Sequence, residues 1–104
     1  SPMELLLMAL AGCTAIDIVS IMKKKRQPLS ELRVFVEGDR ADDHPMRFTR
    51  ITVTYEARGK QLSLETLERV VQLSDEKYCS VSATLRETTE VRTVVKVVED
   101  SAEA

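Results

Sequence analysis

Ser1-Pro2-Met3-Glu4-Leu5-Leu6-Leu7-Met8-Ala9-Leu10-Ala11-Gly12-Cys13-Thr14-Ala15-Ile16-Asp17-Ile18-Val19 is the stretch on which the fold turns. Serine, proline at the first helical position and glutamate at the third form a capping box, so a helix starts here. It runs to about Arg26, where the cations Lys23-Lys24-Lys25-Arg26 suit the negative end of the helix and Pro28 stops it. Up to Ile16 apolar residues occupy nearly every face, which predicts a central helix covered on most sides. Gly12 costs about 1 kcal/mol against alanine in a helix interior, a hint of close backbone packing at that point. The apolar run is long enough to raise a membrane span, but Asp17 would cost roughly 2.5 kcal/mol or more at mid-membrane. The helix is therefore expected to be buried in protein, with no membrane partner.

Downstream, Leu32 to Glu37 and Phe48 to Ala57 read as strands, the second alternating Ile51, Val53, Tyr55 and Ala57 with Thr52, Thr54 and Glu56. One buried and one wet face is the antiparallel pattern. His44, beside Pro45 in the polar loop between them, reads as a solvated turn residue. Ser63 caps a further helix, with Leu62 stapled onto Leu67 and an inner stripe of Leu64, Leu67, Val70, Val71 and Leu73 or Ser74. The pattern breaks near Ser74-Asp75-Glu76 and restarts, which leaves Cys79 in the first turns of a segment reaching Leu85. Val91 to Val98 is a last strand, followed by a frayed acidic tail from Glu99 to Ala104.

The whole is one domain over residues 1–104, helix–strand–strand–helix–helix–strand. At 104 residues, with 43% apolar and 31% charged, the composition is that of an ordinary globular domain. Three strands cannot cover so apolar a helix, so an upstream segment or a second copy of the chain must. A net charge of −2 gives no broad reason to bind nucleic acid, and the single basic run lacks aromatic company. No basic region precedes the apolar stretch, so no secretory signal is visible from Ser1 onward. Two cysteines do not make a secreted disulfide framework, which favours a reducing, cytoplasmic setting. Two cysteines and one histidine without ligand spacing also make a poor metal site, so no metal is expected.

Cys13 and Cys79 lie sixty-six positions apart, each in a helical segment. Read alone, each is first a small buried hydrophobe and second half of a dithiol, should the fold bring the two together.

The segment Ser1 to Val19, together with Glu76-Lys77-Tyr78-Cys79-Ser80-Val81-Ser82-Ala83-Thr84-Leu85, resembles the two signature segments of the OsmC/Ohr proteins, in the expected order and across nearly the whole chain. The resemblance implies an α+β OsmC-like fold, central buried helices packed against antiparallel sheet in an intertwined homodimer, with the family's N-terminal strands ahead of Ser1. It also implies reduction of small organic hydroperoxides by the thiol pair, Cys13 attacking and Cys79 resolving, in oxidative-stress defence. No cofactor is implied beyond an external dithiol reductant. In the family an arginine from the missing strands activates the attacking thiol; here Arg47, Arg50 and Arg86 are the candidates. The acid that holds that arginine directly follows the proline of the motif, where this chain has Met3. Glu4, one residue later and about 100° round the helix, is first a capping residue and second a supporting contact at the site. The match is thus closer to the OsmC-like branch than to the dedicated peroxidases.

In chemical terms, a thiolate attacks the O–O bond, releases the alcohol and becomes a sulfenic acid, which the second thiol condenses to a disulfide. A mid-helix Cys13 with Asp17 one turn on lacks anion stabilisation, whereas a helix dipole alone favours Cys79 as the nucleophile. Leu6, Met8 and Leu10 are expected to line an apolar substrate pocket. The competing reading is a non-catalytic stress-associated dimer that binds a small apolar ligand and keeps its cysteines reduced.

Overall fold

The computed structural model describes residues 1–100. Helix α1 spans Pro2–Lys24, strands β1 and β2 span Leu29–Arg40 and Phe48–Gly59, and α2 spans Leu64–Leu73. A five-residue π-turn, Ser74–Tyr78, leads into the short helix α3, Ser80–Arg86, and β3 closes the chain at Glu90–Glu99. The capping box forms as the sequence predicts, with the Glu4 N–H donating to Ser1 Oγ at 3.3 Å. At the other end Arg26 turns left-handed (φ 57°), and the Gln27 and Arg26 amides return to the carbonyls of Met22 and Lys23. That is the hydrogen-bond pattern of a helix stop normally supplied by glycine.

The sheet has the order β1-β2-β3. β1 and β2 pair antiparallel, with Val36 opposite Val53 and Val34 opposite Tyr55. β3 departs from the antiparallel expectation and joins β2 in parallel, Val53 opposite Thr93 and Tyr55 opposite Val95, so the sheet is mixed. The cause is the connection: α2, the π-turn and α3 form a helical crossover, which brings a strand back in the same direction. As the central strand, β2 sends Ile51, Val53, Tyr55 and Ala57 into the core with no exposed surface. Leu67, Val70, Val71 and Ser74 are the buried stripe of α2, whereas Leu64 and Leu73 lie on its wet side. His44 is exposed in its loop, as read.

α1 buries the stripe Leu10, Thr14, Ile18 and Met22 against this core. The expectation of cover on most sides is not met within one chain, since Leu5, Met8 and Ile16 are 63%, 65% and 72% exposed. Gly12 stands on that open side, with nothing within 4 Å of where a Cβ would sit, so the close packing its presence suggested does not come from this chain. By length and composition α1 would pass for a membrane span, yet here it is the helix on which the sheet and both crossover helices rest. Nor does the tail begin at Glu99: that residue ends β3 and its carboxylate accepts from the Gln61 N–H, while the Asp100 N–H donates to Gly59 O. Both are held because β3 stays paired with β2 to its last residue, Glu99 opposite Gly59. The remainder of the expected tail, residues 101–104, lies outside the described residues.

Candidate functional site

Cys13 lies beside the buried stripe of α1 and is half-buried, whereas Cys79, at the start of α3, is 2% exposed. Both thiols are free. Burial first, and then a hydrogen-bonding contact with the Cys13 side chain, push the Cys79 thiol up to about 11, with the amides of Ser82 and Val81 pulling the other way. Cys13 is thus near enough to Cys79 to act on its ionisation.

How Cys79 reaches that position follows from its neighbours. The π-turn takes one more residue than an α-turn and ends in the bond from Cys79 N–H to Ser74 O at 2.7 Å. Cys79 is itself extended (φ −77°, ψ 103°) and caps α3, its Sγ accepting the Ser82 N–H at 3.3 Å. A sulfur in that place gains from the helix start, but the loss of water outweighs the gain, as the raised pKa records. The π-turn is tied to α1 by Ser74 Oγ–H donating to Asp17 Oδ2 at 2.7 Å, one helical turn beyond Cys13. On its other side the Ser82 hydroxyl, with no exposed surface, donates to Asp75 Oδ1 at 2.5 Å and accepts from Arg86 Nη2 at 3.1 Å.

Beneath the pair lies Tyr55 of β2, whose hydroxyl donates to Thr14 Oγ1 at 2.8 Å, the residue after Cys13. Burial raises Tyr55 to about 12; the Thr14 hydrogen bond works against that, and Asp75, Cys79 and Cys13 add smaller upward contributions. Tyr55 is therefore a neutral donor that fixes the α1 face carrying Cys13. Sequence reading places Tyr55 in the core stripe of β2 but assigns its hydroxyl no role, because nothing local links position 55 to position 14. Ser82 carried a faint signal, being the third residue after a helix-capping side chain.

Glu4 sits at the exposed start of α1 in its capping role, its Oε1 accepting from the Ser1 amino group at 3.1 Å. Among the arginines, Arg47 donates to the carbonyls of Phe48 and Thr88, Arg50 faces Asp39 and Glu90, and Arg86 pairs with Asp75. None of these contacts is to sulfur. Of the expected pocket residues only Leu6 lines a groove near the thiols, one of about 270 Å³ shared with Ala9, Ser80, Val81, Thr84 and Leu85. Leu10 is in the core because it belongs to the buried stripe, and Met8 faces outward. Among the described residues no three histidine, cysteine, aspartate or glutamate side chains cluster as metal ligands.

A mixed sheet wrapped on one apolar helix, with two neighbouring free thiols where that helix meets the crossover, defines the class as an α+β protein. The sequence matches the family described as OsmC-like protein over residues 1–94, and the chain belongs to that family. The Escherichia coli K12 protein YhfA is 40% identical over 98 residues, covering 94% of this chain and 73% of that protein. A crystal structure of a hypothetical protein from Aquifex aeolicus VF5 superposes with a TM-score of 0.92 at 36% identity, over 97% of this chain and 76% of that one. The fold is also that of a Legionella pneumophila protein described as organic hydroperoxide resistance protein OsmC, with TM-score 0.71 and 21% identity over 93% and 69% of the two chains.

Proposed function

We propose that this protein reduces organic hydroperoxides with Cys13 as the attacking thiol and Cys79 as the resolving one, in defence against oxidative stress. The observation that carries the reading is a half-buried free thiol near enough to a buried one to raise it. Access favours Cys13 for the first step, because it is half-buried whereas Cys79 is 2% exposed. The raised pKa of Cys79 favours the same order, since the buried thiol is protonated at neutral pH and a poor first nucleophile. The Cys13 thiolate attacks one peroxide oxygen, the O–O bond breaks, and the alcohol leaves after taking up a proton. The Cys13 sulfenic acid then condenses with the Cys79 thiol, forming the disulfide and water. A dithiol from outside the protein returns both cysteines to thiols and is itself oxidised.

The working unit in this reading is a cytoplasmic homodimer. Leu5, Met8, Ile16 and Val19 leave one side of α1 apolar and uncovered, and Gly12 on that side lets another backbone approach. Free-thiol titration with and without cumene hydroperoxide tests the proposal. Loss of both thiols to an internal bridge is expected, and full peroxide consumption by Cys13→Ser would refute it. If both thiols survive peroxide, the ligand-binding, non-catalytic dimer is the better reading.

A further inference from the structure

Cys79 is not held in place by a continuous helix. The π-turn before it ends in an extended residue, and α3 begins only at Ser80, so beyond the capping bond from the Ser82 amide no regular secondary structure aims its side chain. Disulfide closure, however, tolerates little error, because Cβ atoms must come within about 3.5–4.5 Å at a dihedral near 90°. Something else must fix the sulfur.

The contacts that do so form a clasp across Cys79. Asp75, the second residue of the π-turn, and Ser82, the third residue of α3, are joined by the 2.5 Å bond from the Ser82 hydroxyl to Asp75 Oδ1. Arg86 closes the clasp from one turn further on, donating from Nη2 to Ser82 Oγ and to Asp75 O, each at 3.1 Å, and pairing with the Asp75 carboxylate. The backbone amide of the same Ser82 donates to Cys79 Sγ. Fixing Ser82 therefore fixes both the backbone on either side of Cys79 and the amide that donates to its sulfur at 3.3 Å. We propose that Asp75, Ser82 and Arg86 are positioning residues for the resolving thiol, holding Cys79 toward Cys13 and so setting the rate of disulfide closure but not that of the first attack. Cys13, on α1, is held separately through Thr14 and Tyr55, so the two steps depend on different contacts.

The inference rests on Cys79 being the resolving thiol, and its test uses no peroxide, so that it and the peroxidase reading fail by different results. With dithiodipyridine, attack by the Cys13 thiolate forms a mixed disulfide and releases one thiopyridone. Attack by the Cys79 thiolate on the Cys13 sulfur then forms the internal disulfide and releases the second, and the two releases are followed as separate absorbance phases. Ser82→Ala keeps the backbone amide but opens the clasp, and slows the second phase by roughly tenfold, the kinetic equivalent of one hydrogen bond, with the first phase unchanged. Arg86→Gln, at a side chain that is 40% exposed and so a safer change for folding, does the same in smaller degree, and Arg86→Lys restores most of the loss by keeping the charge opposite Asp75. Unchanged second phases in both Ser82→Ala and Arg86→Gln overturn the proposal, as does equal slowing of both phases. If Ser82→Ala does not fold, the Arg86→Gln and Arg86→Lys pair decides alone.

Discussion

Raising the pH separates the two thiols, and the size of the effect at Cys79 follows from its surroundings. Burial, then Cys13, lift its pKa from an ordinary 9.0 to about 11. Two units mean about a hundredfold less thiolate at neutral pH than an ordinary cysteine carries, and only the thiolate alkylates. Because Cys79 is also only 2% exposed, its labelling is slower still. Pulse alkylation of the reduced protein with iodoacetamide, read by peptide mass spectrometry, should therefore find Cys79 labelled late at neutral pH. Its rate should climb about tenfold per pH unit and still be climbing near pH 10. The sign of the linked stability effect is also fixed. Folding favours the neutral thiol, so this contribution is fully present below 9.0 and is lost as pH rises through about 11. A Cys79 labelling rate that levels off at or below about pH 9 would contradict the burial argument, since that is the behaviour of an unperturbed thiol.

Other outcomes follow from single contacts. Cys79→Ser should leave the first attack intact and let the Cys13 sulfenic acid persist, trapped by dimedone, with turnover under a dithiol reductant largely lost. Tyr55→Phe removes the buried bond to Thr14 and should cost about 1 kcal/mol, lowering the melting midpoint by roughly 4–8 °C for a domain of this size. Arg26→Gly relieves a left-handed non-glycine residue at the end of α1 and should stabilise the fold by about 0.5–1 kcal/mol in a denaturant titration. Ile16→Arg places a charge on the open face of α1, where the native side chain is 72% exposed, and should shift the elution of a dimer toward monomer with the fold retained by circular dichroism.

Much of this architecture was legible in the chain because its signals are local. The capping box at Ser1 and the alternation through Ile51, Val53, Tyr55 and Ala57 each lie within a few residues and formed where they were read, whereas the helix expected to include Cys79 in its first turns begins only at Ser80, with Cys79 as its extended cap. The direction of β3 was not legible, since strand alternation does not say whether a crossover will return parallel. The inner stripe of α2 was read correctly through Leu67, Val70, Val71 and, of the two alternatives at its end, Ser74 rather than Leu73; only Leu64, in the first turn, faces water instead. At the site, the motifs singled out the sulfurs but not what holds them. The bonds Tyr55–Thr14 and Ser74–Asp17 join residues 41 and 57 positions apart, and no spacing rule reaches that far. Asp17, read as a charge that disfavours the Cys13 anion, proves to be the anchor of the π-turn.

The central claim is that an organic hydroperoxide converts the two thiols into one internal bridge. One equivalent of cumene hydroperoxide added to the reduced protein, followed by alkylation, non-reducing digestion and mass spectrometry, tests it directly. The account predicts a single cross-linked species joining the Cys13 and Cys79 peptides, with both thiols lost together and recovered on adding dithiothreitol. Two thiols that remain fully alkylatable after peroxide, or a bridge only between Cys13 residues of different chains, would contradict it.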